Sequence, residues 1–435
     1  MKRLLLVFVV LLVMLVGCQS VAEETTISTA VPENVEPTPI PPAPTDTAVP
    51  PTDTPIPPTE EPDTLDLADL EESLQAVVDA QVEAGYPGVV LLVDAPDLGF
   101  SWQGAGGMAD AEAGIPMETD TPFRVVGMTG MMQAVVVLRL NEEGLLNLDD
   151  PISQYLDSTI IDQLSGPDGE PYGEAITVGQ LLNATSGVAG YFLAAEEDMD
   201  GNNSDDMAEV IINDPDRLWL PEEVIAYSTS NLNTKSAPGE KFNSCDLENV
   251  LISLVIESVT GMSLDEAYQT WLFEPLGMSN SFLAQPGDPR LADVSHVYFM
   301  EGVDVSDYTS LSWLQVDVIS TVDDLKRFMW DWVNDDVFTD PASKETMVAW
   351  TSMAAEGYDG IYYGSGAVKM AFGEWDMPEI GDLIGHVSLW NAFLFYWPQY
   401  NIVYAGTLNQ ARPFSTYPEL AFPTMMTILP YVQTE

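Results

Sequence analysis

The sequence predicts a mixed α/β domain in which an antiparallel sheet is flanked by helices and joined to an all-helical subdomain. Strand-like apolar runs lie near both ends of the globular region, first at 88–94 and 99–104 and again between 361 and 408. The long middle of the chain instead shows helical periodicity, as at 250–259 and 264–273. Strands at both ends with helices between them predict an antiparallel sheet joined to a helical subdomain.

Residues 1–17 have the features of a lipoprotein signal peptide. Lys2 and Arg3 precede an apolar run of thirteen residues at 4–16, which is too short to span a bilayer but fits the core of a signal peptide. Cys18 then ends a Leu-Val-Gly-Cys step that resembles a bacterial lipobox. This order predicts a lipid on Cys18 that holds an exported protein to the extracytoplasmic side of a membrane, at the cell surface or in the periplasm. The alternative is an ordinary signal peptide with an incidental cysteine.

A proline- and threonine-rich segment, residues 18–65, follows the signal peptide. It carries twelve prolines between residues 25 and 64. Because proline fixes φ and lacks a backbone donor, the segment is predicted to be a disordered, extended tether. The functional domain is then predicted to span residues 66–435.

The charge balance excludes two classes of partner. The chain has 13 basic and 69 acidic residues, for a net charge of −56. Such a surface repels nucleic acid and anionic headgroups, so we expect no nucleic-acid partner and a membrane contact through the lipid anchor. Cys245 is the only cysteine besides Cys18, which leaves no pair for a disulfide within the domain.

Several sequence segments follow one another in a specific order. They lie at 123–130 (FRVVGMTG), 176–187 (ending LLNATSG), 238–242 (PGEKF), 273–278, 320–325 and 385–386. In this order they resemble the serine β-lactamase and penicillin-binding-protein superfamily, in particular its class C, D,D-peptidase and esterase branch. The resemblance covers about residues 66 to 430 and implies the serine β-lactamase/transpeptidase-like version of the predicted fold.

The resemblance implies a serine nucleophile and a lysine base one helical turn later, on the same helix face. In this chain those two positions hold Gly127 and Gly130. Neither glycine can attack a carbonyl or accept a proton. If both lie within the helix, replacing them is expected to stabilise it by roughly 1 kcal/mol each without restoring activity.

The other two catalytic motifs are also altered. Ser244 and Asp246 stand where the family has tyrosine and asparagine, and His386 is kept while Ser388 replaces a small residue after it. We therefore expect no catalytic residues in this degenerate site. An alternative is a new triad, in which a His386–Asp246 pair would activate Ser244 or Ser388.

An acidic loop at 198–206 is a loose candidate for Ca²⁺. Its oxygen-bearing side chains are Asp198, Asp200, Asn202, Ser204 and Asp206. Hard cations bind such oxygens, but the glycine is misplaced for an EF-hand loop and no glutamate closes it. A carboxylate-rich loop is also expected in so acidic a chain, so we predict no metal and no cofactor.

Three functions are compatible with this sequence. The first is a catalytically inactive relative of serine hydrolases, a pseudoenzyme that binds a small-molecule, peptide or cell-wall ligand in the relict cleft or acts as a scaffold. The second is an active esterase or D,D-peptidase-like hydrolase that uses non-standard residues. The third is a structural surface lipoprotein without a ligand. The missing serine and lysine favour the first and third over the second.

We expect the melting temperature of the domain to rise as sodium chloride is added. Crowded carboxylates repel one another, and salt screens such charges over about 8 to 10 Å at physiological ionic strength. Differential scanning calorimetry in increasing salt measures this effect, with an uncharged solute at equal osmolality as the control. A flat or falling melting temperature in salt would contradict the prediction.

Overall fold

The computed structural model describes residues 66–166, 169–188, 190, 213–231, 236–243, 245–299, 302–314, 316–354, 357–388, 390–411 and 417–433. The predicted signal peptide, the tether, Ser244 and the 198–206 loop lie outside these residues, and their predictions stay untested.

The described residues contain strands at both ends of the domain and helices between them. The strands are β1 Gly88–Ala95, β2 Phe100–Asp110, β3 Ile115–Pro116, β4 Phe123–Arg124, β5 Phe282–Leu283, β6 Tyr298–Phe299, β7 Val303–Asp304, β8 Val318–Ser320, β9 Thr351–Ser352, β10 Ile361–Tyr363, β11 Val368–Ala371, β12 Asp382–Val387, β13 Ala392–Trp397, β14 Ile402–Leu408 and β15 Gln410–Ala411. The helices are α1 Leu67–Glu83, α2 Thr129–Glu142, α3 Ser158–Ile161, α4 Val178–Leu182, α5 Pro221–Asn231, α6 Asp246–Thr260, α7 Leu264–Tyr268, α8 Glu274–Leu276, α9 Val322–Val333, α10 Pro341–Met347 and α11 Phe422–Val432.

The main sheet has nine strands within the described residues, in the order β3-β2-β1-β14-β13-β12-β11-β10-β9. Its strand pairs are antiparallel, and β1 from the start of the domain pairs with β14 near its end, Val89 opposite Leu408. Between β4 and β5 the described elements are the helices α2 to α8. The predicted antiparallel sheet with an all-helical subdomain is therefore confirmed.

Both faces of the sheet are buried, because alternate residues of β1 point to opposite sides. Val90 and Leu92 belong to one apolar core, whereas Val89, Leu91 and Val93 belong to a second. The second core includes Leu70, Leu74 and Val78 of α1 and also side chains of α11. The first core contains α2, α6 and α9.

Helix α2 is buried along most of its length. Every residue from 131 to 138 is at most 1% exposed. Its one polar side chain in that stretch, Gln133, donates from Nε2 to the Asn249 carbonyl and to Ser253 Oγ on α6, each at 3.0 Å. The start of α2 is therefore held in place by apolar packing on all sides.

Among the described residues, no single helix is long and apolar enough to cross a membrane. The pair Asp246–Thr260 and Leu264–Leu276 meets the length and composition criteria only when taken together, and it bends by 79°.

Candidate functional site

The two positions of the implied nucleophile and base lie at the start of α2. Gly127 precedes the first helical residue, Thr129, by two positions and has a φ of +96°. This is the left-handed half of backbone space, where residues with a side chain are strained. The expectation that both glycines weaken the helix is therefore wrong for Gly127, which lies outside it. Gly130 is the second residue of α2.

At the start of α2, the backbone of Gly130 closely approaches the backbone of Gly366. A Cβ atom at Gly130 would lie 3.6 Å from the Cα and the carbonyl oxygen of Gly366, and 3.9 Å from Tyr363 Oη. Gly366 has a φ of +73°, and its own Cβ would lie 2.1 Å from the Gly130 carbonyl oxygen. Only glycine fits such an approach. The space into which a lysine at position 130 would extend is thus bounded by the turn between β10 and β11.

A buried carboxyl group, which the sequence had not indicated, lies near the start of α6. Glu248 is 4% exposed. Ser186 Oγ lies 2.5 Å from its Oε1, and the Cys245 backbone N–H donates to its Oε2 at 3.4 Å. Burial raises the pKa of Glu248 well above its usual range, more than these hydrogen bonds lower it, and Asp246 raises it further. The carboxyl group therefore keeps its proton well above the pH at which an exposed glutamate ionises.

Tyr363 lies near both the Glu248 carboxyl group and the start of α2. Burial raises the pKa of its phenol, and the nearby acidic groups of Glu248, Cys245 and Asp246 raise it further. The Phe242 ring packs 5.3 Å from the Tyr363 ring, centroid to centroid. We call Ser186, Cys245, Asp246, Glu248 and Tyr363 the Glu248 cluster. The raised pKa values of buried Glu248 and half-buried Tyr363 favour their protonated forms, which are neither nucleophiles nor strong bases.

The described residues show no hydrogen bond between His386 and Asp246, the pair that the alternative triad would need. His386 lies on β12, and its Nδ1 donates to the Val387 carbonyl at 2.6 Å, because a carbonyl can only accept. Burial lowers the pKa of His386, so the imidazole is neutral at pH 7. In the part of the chain that the structure describes, His386 contacts no carboxylate. Asp246 instead interacts electrostatically with Glu248 and Tyr363.

Ser388 shapes the turn between β12 and β13. It is fully buried, its Oγ accepts the Trp390 backbone N–H at 3.1 Å, and its own N–H donates to the Ala392 carbonyl at 2.7 Å. Asn391 completes the turn with a φ of +58°. Trp390 is 1% exposed and packs edge-to-face on Phe299 in the core. The serine hydroxyl thus holds a hairpin and does not face His386 as a nucleophile.

No metal centre is visible in the described residues, where no group of three or more His, Cys, Asp or Glu side chains could hold an ion. The Ca²⁺ candidate at 198–206 and the candidate nucleophile Ser244 lie outside them. Their roles stay predictions.

Comparison with known proteins agrees with this arrangement. The family model described as Beta-lactamase matches residues 71–421. The chain belongs to the beta-lactamase family. The resemblance inferred from the sequence motifs is therefore confirmed.

Named members of the beta-lactamase family are similar to this chain at modest identity. Esterase EstB of Burkholderia gladioli is 30% identical over 234 residues, 54% of this chain and 56% of the esterase. Penicillin-binding protein 4 of Amycolatopsis lactamdurans is 26% identical over 180 residues, 41% of this chain and 40% of that protein. The chain thus spans about half the length of these relatives.

A solved structure extends the match in fold. The D-amino acid amidase of Ochrobactrum anthropi SV3 superimposes with a TM-score of 0.67 at 18% identity, covering 83% of this chain and 98% of the amidase. This likeness covers the sheet and the helical subdomain together, and it concerns the fold alone.

Replacing Gly366 by alanine should destabilise the domain more than the same change at Gly114. Both glycines have left-handed φ values, +73° and +69°, but a Cβ at Gly114 meets nothing within 4 Å. Gly114→Ala should therefore cost only the backbone strain, about 1–2 kcal/mol. Gly366→Ala adds a clash with the Gly130 carbonyl and should cost about 1–3 kcal/mol more. Urea denaturation of both variants measures the difference, and equal losses would refute the close contact.

Glu248→Gln should gain stability relative to the wild type as the pH rises. A carboxyl group whose pKa is raised by folding stabilises fully below its unfolded pKa, near 4.5, and loses that contribution as the pH rises through its folded pKa. Each unit of the shift is worth about 1.4 kcal/mol. Unfolding free energies from pH 4 to 8 test this, with the exposed Glu112→Gln as the control for loss of one charge. A difference that is constant with pH would show that Glu248 ionises normally.

Proposed function

We propose that this member of the beta-lactamase family is a catalytically silent, exported lipoprotein that acts as a binding or scaffold module. The observation that carries the proposal is the state of the implied nucleophile and base positions. Gly127 and Gly130 offer no reactive side chain, and the turn at Gly366 bounds the space where a lysine would lie. Family chemistry needs both groups as one unit, so the loss of both removes the covalent step.

The neighbouring polar groups do not replace them. The raised pKa values of Glu248 and Tyr363 favour their protonated forms. His386 keeps a neutral imidazole whose Nε2 could accept a proton, but no hydroxyl or thiol of the described residues is hydrogen-bonded to it. Ser388 is committed to its turn. A triad requires these groups to be bonded in sequence, and that geometry supports the inactive state over a non-standard hydrolase.

The binding role draws on the names of the relatives. One is an esterase, one a penicillin-binding protein and one a D-amino acid amidase. Binding a ligand of the kind that these relatives' names indicate does not itself require a nucleophile. We therefore propose that the relict cleft near the Glu248 cluster accepts a small-molecule, peptide or cell-wall ligand without turnover.

The sequence also supports a proposal for the location of the protein. A basic start, a short apolar run and Cys18 occur in the order of a lipoprotein signal. We propose that a lipid on Cys18 anchors the protein and that residues 18–65 tether the domain on the extracytoplasmic side. Mass spectrometry of the membrane fraction, before and after removal of ester-linked lipid, tests the modification. An unmodified Cys18 in the purified chain would contradict it.

The chain should form no acyl-enzyme with a labelled penicillin, with a cephalosporin or with an activated ester. Intact-mass spectrometry after incubation tests this, and a stoichiometric mass increase abolished by mutating one hydroxyl or thiol would identify a hidden nucleophile. The double variant Gly127→Ser and Gly130→Lys should also stay unlabelled. It should lose stability, because the left-handed φ of Gly127 strains a serine by about 1–2 kcal/mol.

A further inference from the structure

The described residues form a cavity that the relict catalytic positions do not line. It is a cavity of about 930 Å³, near the upper end of the range for small-molecule sites. Of the catalytic positions that the structure describes, Gly127, Gly130, Asp246, His386 and Ser388, none lines it. One wall is a face of α6, and the other walls come from 218–221 and 283–296.

The walls of the cavity are largely apolar. Val250 and Leu254 of α6 lie four residues apart, one helical turn, and both line it together with Leu264. At the rim, Leu218 and Leu220 are 50% and 52% exposed, an unusual state for large aliphatic side chains. An apolar body placed between these side chains would be removed from water, which favours binding in proportion to the area buried.

The charged side chains that line the cavity are mostly acidic. Glu257, Asp265, Asp288 and Asp307 contribute four carboxylates. Of these, Asp288 is paired with Arg290 at 2.5 Å, and the same guanidinium lies 3.9 Å from Asp265. Glu257 accepts the Leu264 backbone N–H at 3.0 Å, and among the described residues it forms no ion pair. The described lining therefore carries net negative charge, which attracts a positively charged ligand.

A buried ion pair forms part of the lining and leaves one acceptor unused. Arg124 and Asp317 both line the cavity and pair with each other, and their side chains are only 7% and 8% exposed. Burial lowers the pKa of Arg124 to about 10, so it is charged at pH 7. Asp317 Oδ2 takes part in the pair, but Oδ1 has no hydrogen-bond donor among the described residues. Oδ1 is itself buried, so it is an unused acceptor within the cavity wall.

We propose that this cavity is a binding site for a small amphipathic cation, an amine that carries an apolar body. The apolar body lies against α6 and the leucine rim, and the ammonium group lies among the carboxylates. An anionic ligand is disfavoured because Arg124, the one arginine in the described lining, is already neutralised by Asp317. The site is separate from the relict catalytic positions, so it stands or falls independently of the proposed catalytic silence.

The test is calorimetric titration of residues 19–435, the chain without its signal peptide and lipidated cysteine, with three matched probes. These are n-octylammonium, 1-octanol and octanoate, which share a tail and differ in charge. We expect one saturable site for octylammonium, at least about tenfold tighter than octanol, since close charges in a partly buried site are worth more than about 1.4 kcal/mol. Butylammonium should bind much more weakly because it buries less apolar surface.

Two variants, each with a matched control, test whether octylammonium binds in the cavity. Ala292→Trp fills the cavity from an exposed lining position and should abolish octylammonium binding, whereas Ala113→Trp, in the exposed turn after β2, should not. Glu257→Gln keeps the acceptor for the Leu264 N–H and should weaken octylammonium by about fivefold while leaving octanol unchanged. Glu112→Gln removes a charge outside the cavity and should leave both affinities unchanged.

Three results would overturn the proposal. Equal binding of butylammonium and octylammonium, or binding that survives Ala292→Trp, would mean that cations merely condense on the acidic surface. Tighter binding of octanoate than octylammonium would make this an anion site. Acylation by penicillin would contradict the proposed catalytic silence, but it would not change the interpretation of these binding experiments.

Discussion

The burial of both faces of the central sheet is the constraint on which the rest of the structure depends. Because β1 and its neighbours send alternate side chains into two separate cores, helices must cover the sheet on each side. Helix α2 is enclosed by apolar contacts along residues 131–138, so its first turn is fixed relative to β12 and the turn after β10. This framework is shared with enzymes of the beta-lactamase family, and it persists here although the reactive side chains at the start of α2 are absent.

Glycine at the positions of the implied nucleophile and base changes what packs at the start of α2. With glycine at position 130, the turn at Gly366 packs directly on the start of α2, and Tyr363 lies alongside. Burial raises the pKa of Glu248 and of Tyr363, and the Glu248 carboxyl group raises that of Tyr363 further. These two acidic groups therefore favour their protonated forms.

Much of the fold could be predicted from local sequence signals, and little of the site could. The apolar runs at 88–94 and 402–408 and the helical repeat of α1 depend on neighbours along the chain, so the sheet and its helices followed from them. The Glu248 cluster joins residues 62 positions apart in the Ser186 bond alone, and no periodicity reports such contacts. A glutamate three residues after Cys245, at N3 of the capping box at the start of α6, was the available signal. The left-handed φ of Gly127 likewise depends on tertiary geometry. So does the hydrogen bond from His386 to the carbonyl of Val387 on the same strand.

The outermost strands at the two edges of the main sheet are short, and this matters for a protein proposed to be anchored to a membrane. β3 has two residues, one of them Pro116, which has no N–H to offer, and β9 at the other edge is also two residues long. A long open edge would template pairing with a second sheet and lead to polymers. β3, however, pairs with β2 only at Met108 and Asp110, so the outer side of residues 100–107 is paired with no described strand. Pairing between neighbouring copies would have to form along that part of β2, against their mutual charge repulsion.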